Sequence, residues 1–430
     1  MRAIARQLFF AAMKEASIER AFKRHVSCER GVLRICEDLF DLHASRRSFV
    51  VSMGKAAHAM TRSLCDQMGD SLEGIVVGQM APENQIRGFR YFRGGHPLPN
   101  AESLRAGAAI LKSLQAQTAT SLVIFLLSGG GSSMVEKPID DRISLLDLTE
   151  TYRLLVLSGA PIVEINAVRK HLSSVKGGRL AKAANPARQV SLLVSDVPDN
   201  TPDALASGPT MPDATSVDDC YRIADNYRLR DQFPRAVREL FDQHALEETP
   251  KSGDPAFQHS RWWPILSNAA VVKVAADRAR HLGFTVEIDN SCDDWDYKRT
   301  VLYLLARLRD LRKQSARVCL ISGGEVTVRV ANGGVGGRNQ QLVLAMAREI
   351  EGQKVTVLSA GTDGVDGNSP AAGALADGTT LSRARAEGLD AERALADFDA
   401  YSFFQKLDDT IVTGPTGNNL RDLRILLAYG

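Results

Sequence analysis

Residues 122–133 read LVIFLLSGGGSS. Val123 to Leu127 is an unbroken apolar run of strand length, which suits a strand buried on both faces, although periodicity alone does not separate it from a buried helix. Ser128, Gly129, Gly130, Gly131, Ser132 and Ser133 then stop it abruptly. Three glycines let backbone N–H groups turn inward without Cβ obstruction, and the serines add hydroxyls. Such a turn at the end of a buried strand is where an open α/β sheet binds phosphorylated ligands. It is equally compatible with a tight turn and no ligand. The pattern returns at 317–327, RVCLISGGEVT, where Gly324 and Glu325 follow a second apolar run. Two strand-to-SGG turns far apart in the chain predict two α/β units, each presenting a glycine turn.

Size and charge agree with that division. A chain of 430 residues is long for one core, and ordinary domain sizes predict two or three. The formal net charge of +2 gives no electrostatic reason to expect nucleic acid or an anionic membrane as the main partner. Six cysteines without CxxC spacing argue against a disulfide framework or a structural zinc site and fit a reducing cytoplasm. No apolar run is long enough to span a membrane, and charged residues follow the N-terminal apolar patch too soon for a signal peptide. A cytoplasmic enzyme or binding protein is expected, with a small-molecule substrate.

Taken in order, Ser48 to Met53 reads as a strand that runs into Gly54-Lys55 and a small-residue helix. Free N–H groups, the positive end of the helix dipole and an ammonium there form an anion-binding arrangement. The alternative is a solvated lysine, slightly unfavourable at that helix end. The loop is not a Walker A loop, because G-x-x-x-x-G-K-[ST] occurs nowhere in the chain. His96, in Gly94-Gly95-His96-Pro97, either touches a ligand or is a hydrogen-bonded loop residue, and Asn100 is placed to cap the helix that follows. Residues 165–181, INAVRKHLSSVKGGRLA, crowd Arg169, Lys170 and Lys176 near Asn166. On a helix Arg169 and Lys176 share a face, and the segment reads as a cationic wall for an acidic ligand or as a solvated basic face. Asp196, just past the strand at 190–194, is placed to hold Mg²⁺ or accept a proton, or else serves as a turn residue or cap. In the second unit, 332–341 reads NGGVGGRNQQ and presents Arg338 at a helix start, with a bidentate guanidinium for carboxylate or phosphate. Asp363 and Asp366, in GTDGVDG, either meet a metal or hydroxyl-rich ligand or form Asx-turns.

Nine stretches in this order resemble the ATP-dependent glycerate 2-kinases whose C-terminal part is the MOFRL domain. They are SMGKAAHAM, GGHPLPN, LLSGGGSSM, NAVRKHLSSVKGGRLA, SDVPDNTPDALASGPT, GGEVTV, GGRNQQ, GTDGVDG and TGPTGNN. The resemblance covers nearly the whole chain. It implies an α/β protein with a Rossmann-like, doubly wound domain over 1–262 and a smaller MOFRL-type α/β domain over 263–430, with the active site in the cleft between them. It implies transfer of the ATP γ-phosphoryl group to D-glycerate with Mg²⁺, by a monomer or homodimer. The family's catalytic lysine falls on Lys55, its GGRNQ arginine on Arg338 and its SDV aspartate on Asp196. Asp196 is expected as base or metal contact. Ser128 to Ser133, Lys176, Gly324 and Glu325 are then expected on ATP, and His96, Asn166, Arg169, Lys170, Asp363 and Asp366 on the acid substrate. Two departures stand out: Asp199-Asn200-Thr201 where members often read GDD, and 397–401 DFDAY in place of NNDSY.

The rival activity is an NAD(P)H-dependent hydroxypyruvate reductase. That chemistry calls for G-x-G-x-x-G after the first strand, which this chain lacks. A third alternative, a non-catalytic binder of nucleotides or sugar acids, keeps the glycine turns and dispenses with the paired lysine and arginine.

Overall fold

The computed structural model describes residues 1–45, 47–69, 72–198, 200–330 and 333–430. Asp199 of the SDVPDN departure and Asn332 of the NGGVGG stretch therefore lie outside the described residues. Two compact units emerge, one of residues 18–265 and the other of 1–17 with 266–430.

The unit of residues 18–265 is built on β1 (Arg47–Met53), β2 (Glu73–Gly78), β3 (Phe89–Arg93), β4 (Ser121–Ser128), β5 (Arg188–Val194) and β6 (Ser260–Leu266), in the order β3-β2-β1-β4-β5-β6. The pairs β3/β2, β2/β1, β1/β4 and β4/β5 are all parallel. This is the doubly wound order, in which the chain leaves β1 in one direction, returns, and continues on its other side. Every residue of β4 is buried, which settles its reading as a central strand, flanked by parallel neighbours and covered on both faces. β3 is half-exposed, as an edge strand should be. Asn100 caps the helix Ala101–Gln115: its side chain accepts from Ser103 N at 2.9 Å while Ser103 Oγ accepts from Asn100 N at 3.1 Å. Upstream, Val26–Glu29, Val32–Ile35 and Asp38–Asp41 form a small antiparallel sheet that no strong periodicity announces.

The register brings three strand ends level. Met53 stands opposite Leu127, and Ser128 opposite Val194. Gly54-Lys55, Gly129 to Gly131 and Ser195-Asp196 thus leave the sheet side by side, at the point where strand order reverses.

The second unit carries β7 (Thr285–Ile288), β8 (Arg317–Gly323), β9 (Val355–Gly361), β10 (Gly373–Asp377), β11 (Thr410–Ile411) and β12 (Asp422–Tyr429), ordered β7-β8-β12-β9-β10-β11. Only β7/β8 is parallel, and the last strand of the chain fills the centre, antiparallel to both neighbours. The helices Tyr297–Arg312 and Arg338–Glu349 supply its main apolar core. Residues 1–17, expected with the first domain, belong here instead. The helix Arg2–Glu15 buries Ala5, Leu8, Phe9 and Ala12, packs on the helix Asn268–His281, and pairs Arg2 with Asp377.

Candidate active site

The glycine turn after β4 and the lysine turn after β1 are built into each other. Lys55 N donates to Gly129 O at 2.8 Å and Ala56 N to Ser128 Oγ at 3.1 Å. Gly54, at φ +115°, has no room for a side chain, because a Cβ would lie 2.4 Å from Ser128 O. Gly130, at φ +83°, lies between the stem of Lys55 and the ring of His96: a Cβ there would be 3.3 Å from Lys55 Cγ and 3.5 Å from His96 Nδ1. At Gly129 a Cβ would fall 1.8 Å from Asp196 Oδ2. Lys55, His96, Asp196 and the SGGGSS turn, far apart in sequence, are thus brought together.

The site is polar and only partly satisfied internally. His96 Nδ1 lies 3.1 Å from Ser133 Oγ, and Ser132 Oγ lies 2.8 Å from Ser207 Oγ. Burial and the nearby Lys55 ammonium both hold the His96 imidazole below its ordinary value. The amides of Gly130, Gly131 and Ser132 donate to no described acceptor. Lys55 is exposed and makes no ion pair with a described residue. An ammonium and amides that all lack a described partner are together suited to an anion.

The basic segment resolves differently from its sequence reading. The helix Ile162–His171 ends before Lys176, so Lys176 does not share its face with Arg169. Lys170 is buried between Asp203 and Asp213, at 3.1 Å from each. Lys176 is buried against Glu136, which also accepts from Tyr152 Oη at 2.7 Å and from Ser173 Oγ. Burial pushes the Lys176 ammonium down to about 8, with Glu136 partly restoring it. Both lysines are neutralised within the protein, which corrects their assignment to substrate and nucleotide: a buried cation requires a carboxylate partner, and each has one. Arg169 remains available. Its guanidinium stacks on Tyr152 at 4.4 Å and makes no ion pair with a described residue, and Asn166 lies one turn before it, half-buried.

The second glycine turn is not an open cradle. Gly323 N donates to Asn290 Oδ1, Gly324 N to Asn268 Oδ1 and Glu325 N to Asp293 Oδ1, at 2.8, 3.0 and 3.0 Å. Side-chain acceptors already occupy the amides that a phosphate would use, so Gly324 and Glu325 are corrected as backbone contacts to nucleotide. Arg338 opens its helix as expected, but its Nε and Nη2 grip Asp422 at 2.7 and 3.0 Å and Nη2 also meets Glu325 at 2.6 Å. Burial works against its charge, yet Asp422 and Glu325 outweigh that and strengthen it. Only Nη1 is left without a described acceptor. Asp366 is buried and caps this helix, accepting from Asn339 N at 3.1 Å and Gln340 N at 2.9 Å. Burial raises its carboxyl to about 6. Asp363 accepts from Val365 N at 3.2 Å in an Asx-turn. Asp366, buried with both oxygens taken by the helix start, therefore shapes the fold, which corrects its assignment to substrate; Asp363 forms the turn through Oδ1 alone and is only half-buried.

Several residues of these networks escaped the sequence reading. Glu136, Asp213, Asp293 and Asp422 are carboxylates whose partners lie far away in the chain, so no local spacing marks them. Arg424 is wholly buried in β12 and donates to the carbonyls of Gly323 and Gly324 at 2.8 and 2.7 Å. Ala206 and Ser207 have φ of 52° and 61°, each costing about 1–3 kcal/mol in a non-glycine residue. Their ALASG context offered a signal, a glycine-type turn with too few glycines. Among the described residues no group of three His, Cys, Asp or Glu side chains forms a metal cage, and no helix is long and apolar enough to cross a membrane.

Comparison with known proteins agrees with this architecture. Residues 4–242 match the family described as Domain of unknown function (DUF4147), and residues 318–422 match the MOFRL family. The D-glycerate 2-kinase of Thermotoga maritima is 35% identical over 387 residues, covering 88% of this chain and 90% of that protein. A putative hydroxypyruvate reductase of Agrobacterium vitis is 34% identical, covering 89% of this chain and 99% of that protein. The crystal structure of the Thermotoga maritima glycerate kinase is similar at a TM-score of 0.87 and 32% identity, with 99% of each chain covered. Matched over most of its length in sequence and in fold, this chain belongs to the glycerate kinase family that carries a C-terminal MOFRL domain.

Proposed function

We infer that the chain is a glycerate 2-kinase, transferring the γ-phosphoryl group of ATP to the 2-hydroxyl of D-glycerate. The observation that carries this reading is Lys55: an exposed ammonium with no described ion-pair partner, set beside glycine-turn amides with no described acceptor at the reversal point of a doubly wound sheet. Phosphoryl transfer needs positioning and neutralisation of phosphate charge more than covalent help. The bond from Pγ to the bridging oxygen of ADP breaks as the bond from Pγ to the acceptor oxygen forms, and the hydroxyl proton passes to a base.

Lys55 would neutralise the transferring group, and the amides of Gly130, Gly131 and Ser132 would hold phosphate oxygens. Asp196 would take the acceptor proton or hold Mg²⁺. A carboxylate beside a phosphate turn fits that ion, which binds through one or two carboxylates plus substrate phosphates. Bound there, Mg²⁺ would neutralise charge on the phosphate oxygens. Arg169, held by Tyr152 and without a described ion-pair partner, is the candidate for the substrate carboxylate, with Asn166 and His96 as polar partners. In the C-terminal unit Arg338 would offer Nη1, its guanidinium plane fixed by Asp422 and Glu325. A cytoplasmic location and a monomeric or homodimeric state fit this reading.

The test is an assay with D-glycerate, ATP and Mg²⁺, coupled separately to enzymes that consume 2-phosphoglycerate and 3-phosphoglycerate. Signal through 2-phosphoglycerate alone is expected. A parallel reaction with hydroxypyruvate and NADH should stay silent, since β1 leads into SMGKAAHAM rather than G-x-G-x-x-G. NADH oxidation there, with no phosphoglycerate formed, would overturn the reading.

A further inference from the structure

The turn after residue 204 has a conformation that its residues do not favour. Leu205 and Ala206 adopt φ/ψ of −62/122° and 52/22°, a type II turn with alanine where glycine is usual. Ser207 and Gly208 follow at φ 61° and 60°, so three successive residues are left-handed and only one is glycine. The surroundings hold them there. Gly177 N donates to Ser207 O at 3.0 Å and Gly178 N to Gly208 O at 2.7 Å. The Ala206 methyl fills the space beside Gly131, where a Cβ would lie 2.9 Å away. Strain maintained this way is a pointer to function rather than to packing alone.

The chemistry of the strained residue supplies the function. Ser207 is 1% exposed, and the one described partner of its hydroxyl is Ser132 Oγ at 2.8 Å. A single proton lies between two such oxygens. Were Ser132 the donor, the Ser207 proton would be buried without a described acceptor, which is the costlier arrangement. Donation from Ser207 to Ser132 Oγ is the arrangement that satisfies the buried hydroxyl, and it frees the proton of Ser132 for another acceptor. Ser132 is half-buried and its amide also lacks a described acceptor. Its N–H, and the O–H once Ser207 donates to it, are thus both left without a described acceptor.

We propose that Ser207 is a positioning residue for phosphate: through the left-handed turn it orients the Ser132 hydroxyl to donate to a phosphate oxygen of the nucleotide. This rests on the reading of the SGGGSS turn as the phosphate site.

The test is a double-mutant cycle with Ser132→Ala and Ser207→Gly, read as kcat/KM for ATP, KM for D-glycerate and Tm. Glycine adopts φ 61° freely, so Ser207→Gly relieves strain while removing the hydroxyl, and Tm should not fall. Each single variant should lower kcat/KM for ATP by about tenfold, the scale of one hydrogen bond to a charged group, with KM for D-glycerate unchanged. The double variant should be no worse than Ser132→Ala alone, because Ser207 acts through Ser132. Effects that multiply in the double variant, or a change in Tm with unaltered kinetics, would overturn the proposal. If Ser132→Ala alone leaves kcat/KM for ATP untouched while Ser207→Gly lowers it, the assignment of the turn to phosphate fails first, and the proposal with it.

Discussion

The carboxylate of Asp196 occupies the space that a side chain on Gly129 would need: a Cβ there would lie 1.8 Å from Oδ2. The glycine turn and the aspartate therefore constrain each other. Gly129→Ala should displace Asp196, destabilise the fold by about 1–3 kcal/mol as overpacking does, and abolish transfer. Gly253→Ala, where nothing lies within 4 Å of the added methyl, is the control and should be silent. Equal activity in the two variants would separate Asp196 from the chemistry.

Lys55 and Lys176 should fail in opposite ways. Lys55 is exposed and has no described ion-pair partner, so Lys55→Met should leave stability within about 0.5 kcal/mol and lower kcat by about 10²–10³-fold. Lys176→Met strands the buried carboxylate of Glu136 and should cost about 3–5 kcal/mol. Denaturant titration and steady-state kinetics on both variants check this. A stable but inactive Lys176 variant would restore a ligand role to that residue.

Arg338 faces Asp422 with two donors, a geometry that lysine cannot reproduce. Arg338→Lys should therefore lose stability, because Asp422 is fully buried, and it should lose turnover. Arg338→Lys combined with Asp422→Asn should regain stability without regaining kcat if the guanidinium also acts on phosphate. Recovery of both would limit Arg338 to a structural role.

The pH dependence of His96 has a defined sign. Burial and the Lys55 charge depress its pKa, so the folded state prefers the neutral ring. Its contribution to stability is present above the unfolded value near 6.5 and is lost as pH falls through the folded value. In an NMR titration the His96 midpoint should lie below 6.5 and move up in Lys55→Met. An unmoved midpoint would show that the ammonium does not reach the ring.

Much of this was readable before any folding. The run at 123–127 is too apolar for an edge, and as β4 it became the centre of its sheet. The glycines at 54, 129 and 130 announced a tight turn, and the structure finds backbone or side-chain atoms where a Cβ on Gly54 or Gly129 would be and a left-handed φ at Gly130. Asn100 showed its capping role through Ser103 three residues on. The half-exposed strand β3 and the small sheet of residues 26–41 were not readable, since edge strands lack a continuous apolar signal.

By itself the sequence determined two α/β units, the order of their turns and the family, because strands, glycine turns and caps are local consequences of residue type. Only the tertiary structure decided which charges are available to a ligand. A lysine at 55, 170 or 176 looks equally cationic in sequence. Burial then requires a carboxylate partner, and topology supplies it from 40 residues away for Lys176 and 84 for Arg338. Lys55 stands exposed at a strand end where no described carboxylate pairs with it, and that difference cannot be read from spacing.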